Sequence, residues 1–215
     1  MNDFLDGKLF MNPLSFFRKI EEEAVSNRSD KHEAVIGWHQ PDQITLTINN
    51  YELKDLAGPV CVQMNAHENL NMLCLYAGHS GEFKSLSEET IPLLHEQLKI
   101  SAKCSKLGGY SVLITNTSEF INRVVKAIRE QGYIGTAGLV DYYNPDTFSG
   151  DFSHRDALFR KRDEFSHQSE YRFVIKRDSE ENIPVTLNIG SIRDIAVPYK
   201  TSDFNEGLEI KLNTA

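Results

Sequence analysis

The run Met72-Leu73-Cys74-Leu75-Tyr76-Ala77 (residues 72–77) is continuously apolar and rich in residues that favour strands. An uninterrupted apolar run of this length is typical of a strand that is covered on both faces. We therefore expect residues 72–77 to form a buried central strand, with the remaining elements arranged around it.

The residues before this run predict several strands and one helix. Asn12-Pro13 supplies a helix N-cap and a first-turn proline, because asparagine can accept from the free N–H groups and proline suits the first helical position. The predicted elements, in chain order, are a strand over 8–11, a helix over 13–24, two strands over 34–38 and 44–48 paired through Gln40-Pro41-Asp42, and a strand over 60–64.

The residues after the run predict a strand-rich C-terminal half. Thr117 or Ser118 caps a helix whose apolar residues recur with helical period, and Gln131-Gly132 ends it. The other predicted elements are a helix over 86–104, strands over 110–115, 133–143, 170–176, 185–188, 195–198 and 208–211, and a short helix around Ile192. Because strands and helices do not alternate strictly, we expect an α+β fold with a bent, mainly antiparallel sheet and flanking helices.

Length and charge limit the domain count and the class of partner. The chain has 215 residues, 40% of them hydrophobic, which is enough for a sizeable core. No Pro/Gly/Ser-rich linker divides it, so we expect a single domain over 1–215. The formal net charge of -8 argues against broad nucleic-acid binding, because that binding depends on a basic surface that neutralises phosphates.

Several missing signals indicate a cytoplasmic protein with no metal ion and no membrane span. No run approaches the roughly 18 apolar residues of a spanning helix, and the acidic N-terminus lacks a secretory signal. Cys61, Cys74 and Cys104 are an odd number without a Cys-x-x-Cys pair, which argues against a disulfide framework or a thiolate zinc site. The three His-Glu pairs lack the second histidine of a zinc motif, and Gly108-Gly109 lacks the rest of a phosphate-binding loop.

The segment from Arg155 to Arg177 is locally basic and carries the candidate site. A strand over 169–175 directs alternate side chains to opposite faces. One face carries Tyr171, Phe173 and Ile175, and the other carries Gln168, Glu170 and Arg172. Charges on a central strand need partners. Either Arg162 and Arg172 neutralise Glu170 internally, or the charged face lines a cleft that receives a polar ligand.

Short motifs spread over most of the chain resemble a family of bacterial, phage and mobile-element proteins that has no established activity. These motifs are Gly7-Lys8-Leu9-Phe10-Met11-Asn12-Pro13-Leu14, Phe17-Arg18-Lys19-Ile20-Glu21, Cys74 in its apolar strand, Phe159 with Lys161, and Gln168-Ser169-Glu170-Tyr171-Arg172. The resemblance implies a mobile-element origin and leaves the activity open.

Gln168-Ser169-Glu170, followed by a hydrophobic strand, is also similar to the Gln/Glu-x-Glu motif of ADP-ribosyltransferases, which use NAD. This resemblance implies that Glu170 is catalytic, since it would favour the oxocarbenium-like transition state as nicotinamide leaves. Gln168 would orient the acceptor, and Arg162 or Arg172 would pair the pyrophosphate. Lys161 joins these arginines as a candidate ligand-binding residue.

Two hypotheses of function follow. The first is a nucleotide- or NAD-related ligand-binding or ADP-ribosyltransferase-like protein centred on Glu170. The second is a non-enzymatic acidic interaction module that binds and inhibits a host factor in a host-defence or anti-defence role, which the net charge and the incomplete catalytic motifs favour. The neighbourhood of Glu170 separates them, because a site needs an accessible pocket beside that carboxylate.

Overall fold

The computed structural model describes residues 1–19, 30–81, 83, 85–105 and 107–212. The expected α+β class with mainly antiparallel sheets is confirmed. The helices are α1 (Asn2–Leu5), α2 (Leu14–Lys19), α3 (Ile91–Leu98), α4 (Ala102–Ser105), α5 (Thr117–Glu130) and α6 (Phe204–Gly207). The strands are β1 (Lys8–Pro13), β2 (Val35–His39), β3 (Leu46–Ile48), β4 (Tyr51–Leu53), β5 (Val60–Gln63), β6 (Asn71–Tyr76), β7 (Tyr110–Ile114), β8 (Ile134–Leu139), β9 (Asp141–Tyr143), β10 (Gly150–Asp151), β11 (Arg160–Arg162), β12 (Glu170–Lys176), β13 (Val185–Asn188) and β14 (Ala196–Lys200).

A five-stranded antiparallel sheet in the order β13-β1-β6-β12-β8 forms the centre of the molecule. The apolar run that suggested a central strand is β6, and its place between β1 and β12 confirms the central position. The expected burial is found only at its start, because Met72 is buried whereas Leu73 to Leu75 are half-buried and Tyr76 is exposed. Smaller sheets join β10, β2 and β5, join β14 to β7, and join β3 to β4, while β11 pairs with β9 in parallel. The prediction of a single domain over 1–215 stays a prediction.

Helix α5 covers one face of this sheet. Its buried residues Phe120 and Val124 belong to the same apolar cluster as Phe173 and Ile175 of β12. The helix begins after Asn116, whose side-chain Oδ1 accepts from the Glu119 N–H at 3.0 Å. The expected capping by Thr117 or Ser118 is therefore wrong by one or two residues, because both already lie inside the helix.

The start of the chain differs from the sequence expectation. We expected Pro13 to open a helix, but Pro13 is the last residue of β1 and pairs with Asn71 of β6. The Leu14 N–H continues the interstrand bonding by donating to the Leu70 carbonyl at 2.8 Å. Sheet pairing thus overrides the local helix signal. Helix α2 ends at Lys19, and residues 20–24 of the expected helix lie outside the described residues.

The expected pairing of 34–38 with 44–48 is wrong. Strand β2 pairs instead with β5 and β10, while β3 forms a hairpin with β4. Asn49 and Asn50 join β3 to β4 with φ of 49° and 67°. Asparagine tolerates this left-handed conformation, which two-residue hairpin turns require.

Three further predictions from local pattern are wrong in detail. The expected helix over 86–104 is divided into α3 and α4, because the Asn205 side chain bonds both the N–H and the carbonyl of Ile100 at 2.8 and 2.9 Å. The expected strand over 133–143 is divided into β8 and β9, and the intervening Val140 N–H donates to the Glu170 carbonyl. Residues 208–211 form no strand, and the chain around Ile192 is a turn.

Candidate ligand-binding site

The charged side chains of the candidate site come from two strands and the short segment that joins them. Strand β11 carries Lys161, and a 3₁₀ segment, Asp163–Gln168, leads from β11 to β12. Ser169 connects that segment to Glu170 in a left-handed conformation with φ of 41°. This conformation costs roughly 1–2 kcal/mol for a residue other than glycine. The Ser169 hydroxyl donates to the Ala77 carbonyl at 2.7 Å and so holds the turn against the end of β6.

Arg172 is the fully buried centre of a charge network. Its Nη1 and Nη2 atoms donate to the two oxygens of Glu33, each at 2.9 Å. Its Nε atom donates to Glu170 Oε2 at 2.7 Å, and Nη1 also donates to the Leu158 carbonyl. Such a bidentate, charge-assisted arrangement is the geometry that a buried guanidinium needs to offset its loss of hydration.

Lys161 completes the network from β11. Its Nζ atom lies 2.8 Å from Gln168 Oε1, 2.9 Å from Glu170 Oε1 and 2.9 Å from Glu33 Oε1. An ammonium group has three N–H donors, so all three are engaged. Lys161, Glu33, Glu170 and Arg172 therefore form a neutral cluster of two cations and two carboxylates.

Arg162 belongs to a different ion pair. Its Nη2 atom lies 2.8 Å from Oδ1 of the buried Asp30, and its Nη1 atom lies 2.9 Å from Glu164. The expectation that Arg162 neutralises Glu170 is wrong, because side chains alternate along β11 and Lys161 is the residue that points to Glu170. Burial, followed by the charge of Glu33, raises the pKa of Asp30.

The network keeps Glu170, Lys161 and Arg172 charged at neutral pH. Burial by itself raises the pKa of Glu170, but the charges of Arg172 and Lys161 outweigh burial and lower that pKa to about 2. Burial likewise opposes the charge on Lys161, and the two carboxylates overcome it and raise the pKa of Lys161. The same balance with Glu33 and Glu170 raises the pKa of Arg172. Glu170 is thus a carboxylate, not a proton donor, under ordinary conditions.

A pocket of about 370 Å³ lies against one side of this network. Its walls are mainly apolar or aromatic, and its polar end is made of network residues. The lining residues include Glu33, Lys161, Gln168 and Glu170 at the polar end, and Leu75, Tyr76, Ile100, Leu107, Gly108 and Tyr110 along the walls. Ligand sites are commonly concave and mostly apolar with a few polar groups, and this pocket has that composition.

Two cysteines also line the pocket but are not activated. Burial raises the pKa of Cys74 far above its usual range, and burial followed by the charge of Glu170 raises the pKa of Cys104. The Cys104 thiol donates to the His167 carbonyl at 3.0 Å. Because the thiolate is the nucleophilic form, neither residue is suited to covalent catalysis at neutral pH.

The structure places the five candidate residues in unequal positions. Lys161, Gln168 and Glu170 converge at the polar end of the pocket. Among the described lining residues neither Arg162 nor Arg172 occurs, since the first pairs Asp30 and the second lies behind Glu170. Gln168 reaches the site from the 3₁₀ segment, whereas the sequence pattern assigned it to the charged face of a strand over 169–175.

Sequence reasoning missed Glu33. This residue is buried, bonds both cations of the network and lines the pocket. In the sequence it is the second residue of a His-Glu pair that lacks a zinc motif, and no spacing relates it to Glu170. Ala34 follows it with φ of 53°, a left-handed conformation that the local sequence does not predict. No local signal could have identified Glu33.

Two further features, a metal site and a membrane span, are absent from the described residues. Within the described ranges, no group of three or more His, Cys, Asp or Glu side chains could hold a metal ion. In the same part of the chain, no helix has the length and apolar character needed to cross a membrane. Comparisons with family models, with curated proteins and with solved structures found no match to this chain.

Proposed function

We propose that this protein binds a small organic molecule in the pocket between β6, β12 and residues 100–105 and 107–111. The observation that carries the proposal is the apolar cavity of about 370 Å³ whose inner end is formed by Glu170, Gln168 and Lys161. That volume lies within the range of roughly 300–1,000 Å³ for small-molecule sites.

The energetics of the charge network support a ligand-related role. Replacing a buried ion pair by apolar residues of similar volume is often neutral or stabilising, so a network of this kind is weak support for stability alone. Its location at the end of an apolar pocket gives it a second use, because fixed polar groups orient a ligand that apolar walls hold.

The geometry supports binding more strongly than ADP-ribosyl transfer. The transfer reaction implied by the Gln-x-Glu resemblance needs a Glu170 oxygen to reach the ribose of NAD. The Glu170 side chain is only 8% exposed, so its oxygens can be reached only by a group that enters the inner end of the pocket. A pyrophosphate would also need free cationic donors, whereas Lys161 has engaged all three of its donors. We therefore expect the pocket to accept the nicotinamide ring and not the pyrophosphate of NAD.

Two adjacent glycines provide a direct test of the pocket. A Cβ atom added at Gly108, which lines the pocket, would meet only the Tyr110 carbonyl oxygen, at 3.7 Å, and one added at Gly109 would meet nothing within 4 Å. Gly108→Leu is expected to fill the pocket and Gly109→Leu to leave it open. A fragment screen by ligand-observed NMR should give hits that the Gly108 variant loses and the Gly109 variant keeps. Equal binding by both variants would contradict the proposal.

NAD turnover is tested separately from binding. NAD labelled in the nicotinamide ring is incubated with wild type, and free nicotinamide is measured together with transfer of labelled ADP-ribose to protein. We expect binding of nicotinamide without release of product from NAD. Release that Glu170→Gln abolishes, in a folded variant, would replace the binding proposal with a transferase.

An exposed hairpin supports a second candidate function, an interaction module that binds a host protein. Strands β3 and β4 expose Ile48, Tyr51 and Leu53, and Tyr51 is 78% exposed. Exposed apolar side chains that cluster on one element are typical of interaction surfaces. Ile48→Ser with Tyr51→Ser should remove a partner captured from bacterial lysate, whereas Val197→Ser, at another exposed apolar position, should retain it. Capture that both variants preserve would contradict this role.

A further inference from the structure

The hydrogen-bonding state of the pocket's polar end restricts which ligands can bind there. This inference rests on the proposed function, since it specifies the ligand of the same pocket. A polar group on a buried ligand must find a complementary partner, because an unpaired buried donor or acceptor loses its hydration without compensation. The groups left over at the polar end therefore select the head group of the ligand.

The cations at the polar end have no capacity for an anionic ligand. The three Lys161 donors are engaged by Gln168, Glu170 and Glu33. Arg172 is completely buried behind the carboxylates. The two positive charges are balanced by two negative charges within the cluster. A carboxylate or phosphate placed here would add a third negative charge without an additional cation to pair it.

Among the described charged residues that line the pocket, Glu170 has the most exposed side chain. The side chain of Glu170 is 8% exposed, whereas that of Lys161 is 2% exposed. Each Glu170 oxygen accepts one charge-assisted bond within the network. A carboxylate oxygen has two acceptor sites, so each can accept another bond. The pocket therefore offers acceptors to a ligand at its inner end.

The walls determine the body of the ligand. Leu75 and Ile100 contribute aliphatic surface, and Tyr76 and Tyr110 contribute aromatic surface. Such walls favour a ring, because its apolar faces are removed from water on binding and can stack on aromatic side chains. The body of the ligand is thus expected to be a small ring system.

We propose that the pocket selects an apolar ring carrying a neutral or cationic hydrogen-bond donor, such as an amide or amidine, and excludes the same ring carrying a carboxylate. The N–H groups of the ligand donate to Glu170, and the ring lies between the apolar walls.

Benzamidine, benzamide and benzoate test this selection, because they share one ring and carry a positive, a neutral and a negative head group. Dissociation constants are measured with wild type at pH 7.5 by calorimetry, and Gly108→Leu and Gly109→Leu report whether the ligand occupies the pocket. We expect benzamide and benzamidine to bind about tenfold or more tighter than benzoate. Their binding should be lost in Gly108→Leu and retained in Gly109→Leu.

The outcomes separate this inference from the proposed function. Benzoate that binds as tightly as benzamide in a Gly108-sensitive manner overturns the donor preference and leaves a binding pocket. If none of the three ligands binds and the fragment screen gives no Gly108-sensitive hit, both the donor preference and the binding pocket are overturned. Because the comparison uses three ligands on wild-type protein, it does not depend on whether variants of Glu170 fold.

Discussion

The two faces of strand β12 are stabilised by different physical means. On one face, Phe173 and Ile175 pack beneath α5 in an apolar cluster. On the other, Glu170 and Arg172 are equally buried but are held by ion pairs with Lys161 and Glu33. Apolar packing stabilises in proportion to the area removed from water and tolerates small changes. A buried charge network is destabilised by the loss of any one member, because the remaining charges are left uncompensated.

Removing one member of the network should have the largest effect. Arg172→Met leaves two buried carboxylates facing one cation, and it is expected to destabilise the protein by about 3–5 kcal/mol. Phe173→Leu, on the opposite face of the same strand, retains an apolar side chain and is expected to cost about 1–2 kcal/mol. Urea unfolding of both variants measures the difference. Equal losses would show that the two faces do not differ in tolerance.

Acid should weaken the charged face before the apolar face. The pKa of Glu170 is lowered to about 2 from an ordinary value of 4.5. The contribution of Glu170 to the free energy of unfolding is fully present above about pH 4.5 and is lost as the pH falls towards 2. This shift corresponds to a loss on the order of 3 kcal/mol. Urea unfolding between pH 5 and 2.5 should show the decline in wild type and a smaller decline in Glu170→Gln. Identical declines would contradict this role of Glu170.

The N-cap of α5 should contribute less to the stability of the protein than Arg172 or Glu170. Asn116→Ala removes the acceptor for the Glu119 N–H and is expected to destabilise the helix over the apolar face by about 1 kcal/mol. Thr117→Ala, at a position that the sequence suggested as a cap, should change stability by less than about 0.5 kcal/mol. Thermal unfolding of the two variants compares them, and a larger loss for Thr117 would show that the helix is capped differently.

Replacing the whole network should have the smallest net effect on stability. The combined variant Glu33→Leu, Lys161→Met, Glu170→Leu and Arg172→Met removes all four charges together, so no charge is left unpaired. We expect the free energy of unfolding to lie within about 1 kcal/mol of the wild-type value, or above it. We also expect calorimetry to show that the preference for benzamide over benzoate is lost. A loss of several kcal/mol would mean that the network is needed for folding.

Local pattern was sufficient wherever a single element decided the outcome. The boundaries of β12 and β13 follow from alternation and apolar content, and the helical period of residues 120–128 identifies α5. The central position of β6 follows from its continuous apolar character. The same alternation separated the charged and apolar faces of β12, which placed Glu170 at the candidate site.

Local pattern failed wherever a distant residue decided the outcome. Pro13 remains in a strand because Asn71 pairs with it, and the chain breaks between α3 and α4 because Asn205 bonds the backbone of Ile100. The same limit applies to the partner of Glu170, which is Lys161 and not Arg162, because the parallel pairing of β11 with β9 decides which β11 side chain points to Glu170.

By itself, the sequence determined the α+β class, the central strand and the strand that carries Glu170, because these depend on periodicity and hydrophobicity within one segment. Only the tertiary structure decided that Glu33, about 140 positions away in the chain, closes the network on Arg172, and that the network ends in a pocket. Contacts between distant segments arise from the packing of whole elements, and no local spacing encodes them.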